Sequence, residues 1–259
     1  MKKFLAILLA ALMTLTFVGC DNANNVEDGT DTSATTTDAA TTEATTEADT
    51  EAVADVKGEG VMTHAEFIAA ELDAEVVIET YVQATQSWYK DQITVYSQDK
   101  EGGYFLYKMA CAEADAAKLV PGTKIKVTGY KAEWSGEIEI VDATFEILEG
   151  SYVAEAFDAT ALLGTDDLIK HQNEFAAFKG MTVEKVEYKN GEPGDDIYLT
   201  LSKDGNSYSF CIERYLTAPD TDVYKAVGEL KAGDVIDVEG FIYWYEGVNT
   251  HITSISAAK

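Results

Sequence analysis

From about residue 58 onward the chain is written largely in alternation. Apolar side chains return at every second position around Ile93 and Val95, Ile125 and Val127, Ile138 and Ile140, and Ile236 and Val238. Period two marks half-buried strands, whereas an amphipathic helix repeats every three to four residues. The pattern predicts strands over residues 75–82, 92–97, 104–109, 121–130 and 137–141. A second series follows at 181–188, 197–202, 208–214, 232–241 and 250–255. Glu101-Gly102-Gly103 and Lys203-Asp204-Gly205-Asn206 read as turns inside the two series. Short helices are expected at 112–119 and 222–230, so each series runs strand, strand, strand, helix, strand, strand. Thr63-His64-Ala65-Glu66 has capping-box spacing and predicts a leading helix over 66–72. The segment 151–175, with Ala161-Leu162-Leu163 and Asp166-Asp167-Leu168-Ile169, predicts one or two helices bridging the series and plugging a barrel end.

The two series are copies of one unit. At a constant offset of 111, Gly122, Ile125, Val127, Gly129 and Gly136 fall on Gly233, Ile236, Val238, Gly240 and Gly247. Tyr130 and Trp134 fall on Phe241 and Tyr245. The repeated segment is a turn glycine, an alternating strand and a glycine where the strand must bend.

The order of elements, with a helix between the third and fourth strands, resembles the OB-fold, a five-stranded barrel. The entries Leu119-Val120-Pro121-Gly122 and Leu230-Lys231-Ala232-Gly233 are similar to those of OB modules in secreted bacterial proteins. The resemblance implies a mainly β chain with two tandem five-stranded OB-fold-like barrels and short helices, after a disordered linker. It divides the chain into residues 1–19, 20–57, 58–149 and 150–259: signal peptide, linker, first domain, and second domain with its leading helical segment.

It also implies where a ligand goes, namely the face of strands two and three and the loops beside it. Trp88, Tyr89, Tyr96 and Trp134 fall there in the first copy, and Tyr188, Tyr198, Trp244 and Tyr245 in the second. Flat rings with polar edges suit stacking on sugars, bases or extended peptides. The plain alternative is that these rings cover barrel ends or pack the two domains together.

The N-terminal residues change the picture from fold to address. Lys2 and Lys3 precede an apolar or small run from Phe4 to Val18, too short to span a bilayer comfortably. Phe17-Val18-Gly19-Cys20 resembles a bacterial lipobox, although Phe17 departs from the usual aliphatic residue. The resemblance implies acylation of Cys20, and hence a membrane partner and an extracytoplasmic, lipid-anchored location. It is that of a surface lipoprotein with tandem OB-fold domains, as found in anaerobic Gram-positive bacteria. Residues 21–57 carry ten threonines and ten acids against one basic residue and no aromatic, so they cannot bury a core and read as an extended tether.

Charge then narrows the partner. Residues 58–259 hold 36 acidic and 16 basic side chains, a net of −20. Only Lys90, Lys108, Lys131 and Lys189 lie near the expected faces, which argues against nucleic acid because phosphates are held chiefly by Lys and Arg. A glycan, a cell-envelope component or a protein ligand fits better; a protein-interaction or structural spacer module is the alternative, and single-stranded nucleic acid stands behind both. Catalysis has little support. His64, His171 and His251 lack ligand spacing, Cys111 and Cys211 have no histidine nearby, and no nucleophile elbow or phosphate loop occurs. Glu137 and Glu139 share a strand face, expected to be solvated. No cofactor is implied, and oxygen-rich loops such as Asp195-Asp196, Asp204-Gly205-Asn206 and Asp220-Thr221-Asp222 lack the EF-hand pattern.

Overall fold

A computed structural model describes residues 57–258. The signal peptide, Cys20 and linker residues 20–56 lie outside the described residues. Among the described residues no helix is long and apolar enough to cross a membrane.

The leading helix α1 (His64–Ala69) forms as its capping box requires: Thr63 Oγ1 accepts from the Glu66 N–H, and the Glu66 carboxylate accepts from the Thr63 N–H. It ends three residues earlier than the sequence suggests, and its Phe67 side chain seals the first barrel. Lys131 points to this end of α1 and donates to the carbonyls of Phe67, Ile68 and Ala70. It is therefore a buried helix-end cap and not part of a ligand face, as its position on an alternating strand had suggested.

The first barrel contains β1 (Glu75–Thr85), β2 (Gln92–Gln98), β3 (Gly103–Ala110), α2 (Glu113–Ala116), β4 (Thr123–Trp134) and β5 (Glu137–Ser151). Its strands are ordered β1-β2-β3-β5-β4 and β4 pairs back onto β1, closing the ring. The β3 and β5 pair is parallel and the others are antiparallel. With a helix between β3 and β4, this is the OB-fold arrangement. Inward positions Val76, Ile78, Val95, Leu106, Ile125, Val127 and Ile140 fill the core.

The second barrel follows a short β6 (Phe157–Asp158). It contains β7 (Phe175–Tyr188), β8 (Ile197–Lys203), β9 (Asn206–Ile212), α3 (Asp222–Glu229), β10 (Val235–Phe241) and β11 (Asn249–Ala257). The strand order β7-β8-β9-β11-β10 closes through β10 on β7, with β9 and β11 parallel, so the topology repeats. β6 adds a parallel edge to β7. Phe178, Met181, Leu199, Phe210, Val238 and Ile252 form its core, with Leu168 and Tyr224 packed in from outside the strands.

The repeated glycines mark the same corner twice. Ladder register slips between Thr128 and Tyr130 in one barrel and between Glu239 and Gly240 in the other. A Cβ on Gly240 would lie 2.2 Å from the His251 carbonyl oxygen, and one on Gly129 2.7 Å from Ile140 Cγ2. Only glycine allows these bulges their close backbone approach.

Three further departures from the sequence pattern have physical reasons. The expected bridging helices are 3₁₀ turns, Thr160–Leu162 and Leu168–His171, because the segment is anchored by Leu168 and by β6 rather than by a continuous apolar stripe. β7 begins six residues early, since Phe175-Ala176-Ala177-Phe178 is buried on both faces and so does not alternate. β5 continues to Ser151 because β4 pairs with it along nearly its whole length.

Candidate ligand groove between the two barrels

The outer face of β2 and β3 in the first barrel carries Tyr96 opposite Phe105. The second barrel lies against this pair. Tyr96, only 1% exposed, stacks on Phe241 with ring centroids 4.7 Å apart, and Phe105 meets Tyr243 edge-on at 5.3 Å. Polar groups fix the contact. Phe175 N–H donates to Gln98 Oε1 at 2.8 Å, Gln172 Nε2 donates to the Gly136 carbonyl at 2.9 Å, and Asn173 Nδ2 donates to the Ile138 carbonyl at 3.1 Å. A Cβ on Gly103 would lie 2.2 Å from the Asn173 backbone, so β3 must begin with glycine for the bridge to approach.

Glu137 and Glu139 correct the expectation of a solvated strand face. Both are buried at this junction. Glu137 accepts from the Trp244 N–H at 2.7 Å, and burial pushes its carboxyl well above the usual carboxylate range. Alternation within one strand does not reveal that a second domain covers its outer face.

Where the two faces do not touch they leave a groove of about 1140 Å³. Trp88, Tyr89 and Trp134 reach it from the first barrel, and Tyr198 and Tyr245 from the second. Trp134 and Tyr245, equivalent in the repeat, meet across the groove at 5.2 Å. The Ser87 N–H donates to the Tyr215 carbonyl at 2.9 Å and the Glu246 N–H to the Ser135 carbonyl at 2.8 Å, joining loops of the two barrels. Trp88 is held by its indole N–H, which donates to the Cys111 carbonyl at 2.8 Å.

The other three expected residues lie elsewhere. Tyr96 is sealed in the inter-barrel contact. Trp244 turns against Gly136 and packs onto the second core, and Tyr188 lies against Tyr224 of α3. Residues that sequence reasoning did not single out join the groove instead: Tyr107, Tyr215, Tyr243, Glu213, Asn249 and His251. No motif marks them. Tyr215 follows β9 and comes into place through the contact with Ser87, while His251 is the outward residue between Thr250 and the core residue Ile252.

The groove combines aromatic walls with a largely uncharged interior. Lys90 sits over Tyr89, Lys108 over Tyr107 and Arg214 over Tyr215, each 4.7 to 4.9 Å from the ring centre. Lys189 pairs with Asp196 at 2.7 Å. Burial raises the Glu213 carboxyl to about 7, even though the N–H groups of Tyr215 and Leu216 donate to it. Burial pushes the Tyr243 hydroxyl up and holds His251 down at about 3, so both are neutral near pH 7. Cys111 and Cys211 are free and buried, and burial also raises the Cys211 thiol. Among the described residues no group of three His, Cys, Asp or Glu side chains converges as a metal site.

No family model matches the chain, and no curated protein matches it in sequence. Among solved structures it is similar to a murine DNA-binding protein bound with double-stranded DNA, at 13% identity over 71% of this chain and 96% of that one, with a TM-score of 0.36. It is also similar to a HINa domain in complex with 20-bp double-stranded DNA, at 11% identity over 72% and 100% of the two chains, with a TM-score of 0.35. A third likeness is to a replication protein A heterotrimer bound to single-stranded DNA, at 12% identity over 71% and 49%, with a TM-score of 0.29. Likeness at this level adds nothing to the fold, which rests on strand order and closure.

Proposed function

We propose that the protein is a non-catalytic, extracytoplasmic binding protein. In this reading it is held to the membrane through acylated Cys20 and takes a glycan or other cell-envelope polymer in the groove between its barrels. The observation that carries this reading is the convergence of Trp88, Tyr89 and Trp134 with Tyr198 and Tyr245 on one groove of about 1140 Å³. Sugar rings present C–H faces that stack on aromatic planes and hydroxyls that need polar partners. Gln86, Gln92 and Asn249 supply amides beside the rings, and Asp196 and Glu213 supply carboxyl oxygens.

Single-stranded nucleic acid fits less well. Three of the four nearby cations lie on tyrosine rings and the fourth is paired, within a folded part of net charge −20. A pure spacer does not account for rings left open to the groove.

Titrating the purified protein with soluble glycans and cell-wall fragments tests the reading. Saturable binding is expected, and Trp134→Ala should weaken it by about tenfold or more, the worth of one stacked ring, with the unfolding temperature unchanged. Undiminished binding by that variant removes the groove from the account. Intact-mass analysis of the exported protein checks the anchor, and an unmodified Cys20 sinks it.

A further inference from the structure

A relay of three side chains crosses from one barrel to the other beneath the groove. Gln86 Nε2 donates to the Tyr96 hydroxyl at 3.3 Å, and that hydroxyl lies 2.6 Å from His251 Nδ1. A tyrosine hydroxyl has one proton to give. Its oxygen already accepts from Gln86, and among the described residues His251 Nδ1 is the acceptor that meets it. The proton therefore goes to Nδ1, and the neutral imidazole carries its own on Nε2. Among the described residues nothing hydrogen-bonds Nε2, while His251 itself lines the groove. The imidazole is stacked on Tyr243, with centroids 4.1 Å apart and planes 18° from parallel. The groove thus contains a fixed, uncharged N–H donor against a tyrosine face.

These neighbours discriminate among the acceptors a sugar can carry. A carboxylate would meet the same loss of hydration that lifts Glu213, and a neutral imidazole offers it no compensating charge. A hydroxyl offers a weaker oxygen and no apolar group to set on the exposed ring of Tyr198, which lies across Cys211 from His251. An amide carbonyl accepts strongly without charge, its methyl group suits an aromatic face, and its N–H finds acceptors in the Glu213 and Asp196 side chains of the same groove.

We infer that the groove selects N-acetylated amino sugars, with His251 as the specificity-determining donor to the acetamido carbonyl and Tyr96 as its positioning residue. The inference rests on the glycan reading above and names the sugar class within it.

Calorimetric titration of the purified protein with tri-N-acetylchitotriose, with its N-deacetylated counterpart and with cellotriose separates the two. The N-acetylated trimer is expected to bind about tenfold tighter than either other trimer. His251→Phe keeps a ring on Tyr243 but removes the donor, and should bring the affinity for that trimer down to the level of cellotriose. Tyr96→Phe frees the tautomer and should cut the preference about threefold. In the unaltered protein, which needs no variant to fold, the imidazole N–H resonance of His251 should shift with the N-acetylated trimer and stay put with cellotriose. Equal affinity for the N-acetylated trimer and cellotriose, or tighter binding of the deacetylated one, overturns the selection and leaves the glycan reading standing. Selective binding with an unmoved His251 resonance overturns the role of His251. Failure of all three trimers to bind overturns the glycan reading, and this inference with it.

Discussion

Tyr96 on β2 and Tyr198 on β8 both point outward from the second strand of a barrel with the same topology, yet one is 1% exposed and the other 38%. Tyr96 stands opposite Phe105, and the two rings make an apolar surface that Phe241 and Tyr243 cover. Tyr198 stands opposite Cys211, with Ser209 two pairs along the ladder, a smaller and more polar surface that stays open as a wall of the groove. One face has become glue and its counterpart stays open as a groove wall. The OB topology positions both faces equally, so the difference lies in which outward side chains each barrel carries and in what lies against them.

That contrast can be broken first at the glue. Phe241→Ala removes the ring stacked on Tyr96 and should cost about 3 kcal/mol in urea unfolding, as large-to-small changes at buried aromatics do. A loss below about 1 kcal/mol would mean that the barrels stay docked without it.

A smaller effect sharpens the comparison at the edge of the open face, where Glu213 sits. Its folded-state carboxyl lies at about 7, above its ordinary 4.5, so protonation favours the fold. Its contribution is whole below about pH 4.5 and is lost as pH rises through about 7. Glu213→Gln keeps an oxygen for the N–H groups of Tyr215 and Leu216. It should therefore stabilise the protein by about 1 to 2 kcal/mol at about pH 8 and by nothing near pH 4, allowing for solvent screening. Equal unfolding midpoints for the two proteins at the higher pH would contradict this.

The smallest structural effect is expected on the open face itself. Tyr198→Ala should change stability by no more than about 0.5 kcal/mol while weakening glycan binding by about fivefold. A stability loss comparable to that of Phe241→Ala would show that the two faces are not distinct after all.

Much of the fold is legible in the sequence because barrel interiors impose a strict period on their strands. Ile125 and Val127, matched by Ile236 and Val238, show the fourth strand of each barrel, and Gly129 with Gly240 shows where it bends. The site was legible only in part. Trp88, Tyr89, Trp134, Tyr198 and Tyr245 reach the groove because loops and outward strand positions beside the second and third strands are fixed by the topology. The burial of Tyr96, Glu137 and His251 could not be read, since each owes its surroundings to the other barrel and no local pattern encodes which outward face is covered. The role of Lys131 is hidden for a related reason: its partners are three carbonyls at the C-terminal end of α1, some sixty residues away in the chain.

The relay from Gln86 through Tyr96 to His251 also has a consequence in time. A growing chain completes β5 at Ser151, a hundred residues before it reaches His251. A first barrel folded within that interval would leave Tyr96 and Phe105 uncovered, a patch suited to sticking to other chains. When the second barrel docks, it hides that patch and creates the groove in the same event. Burial of that patch and completion of the groove therefore arrive together.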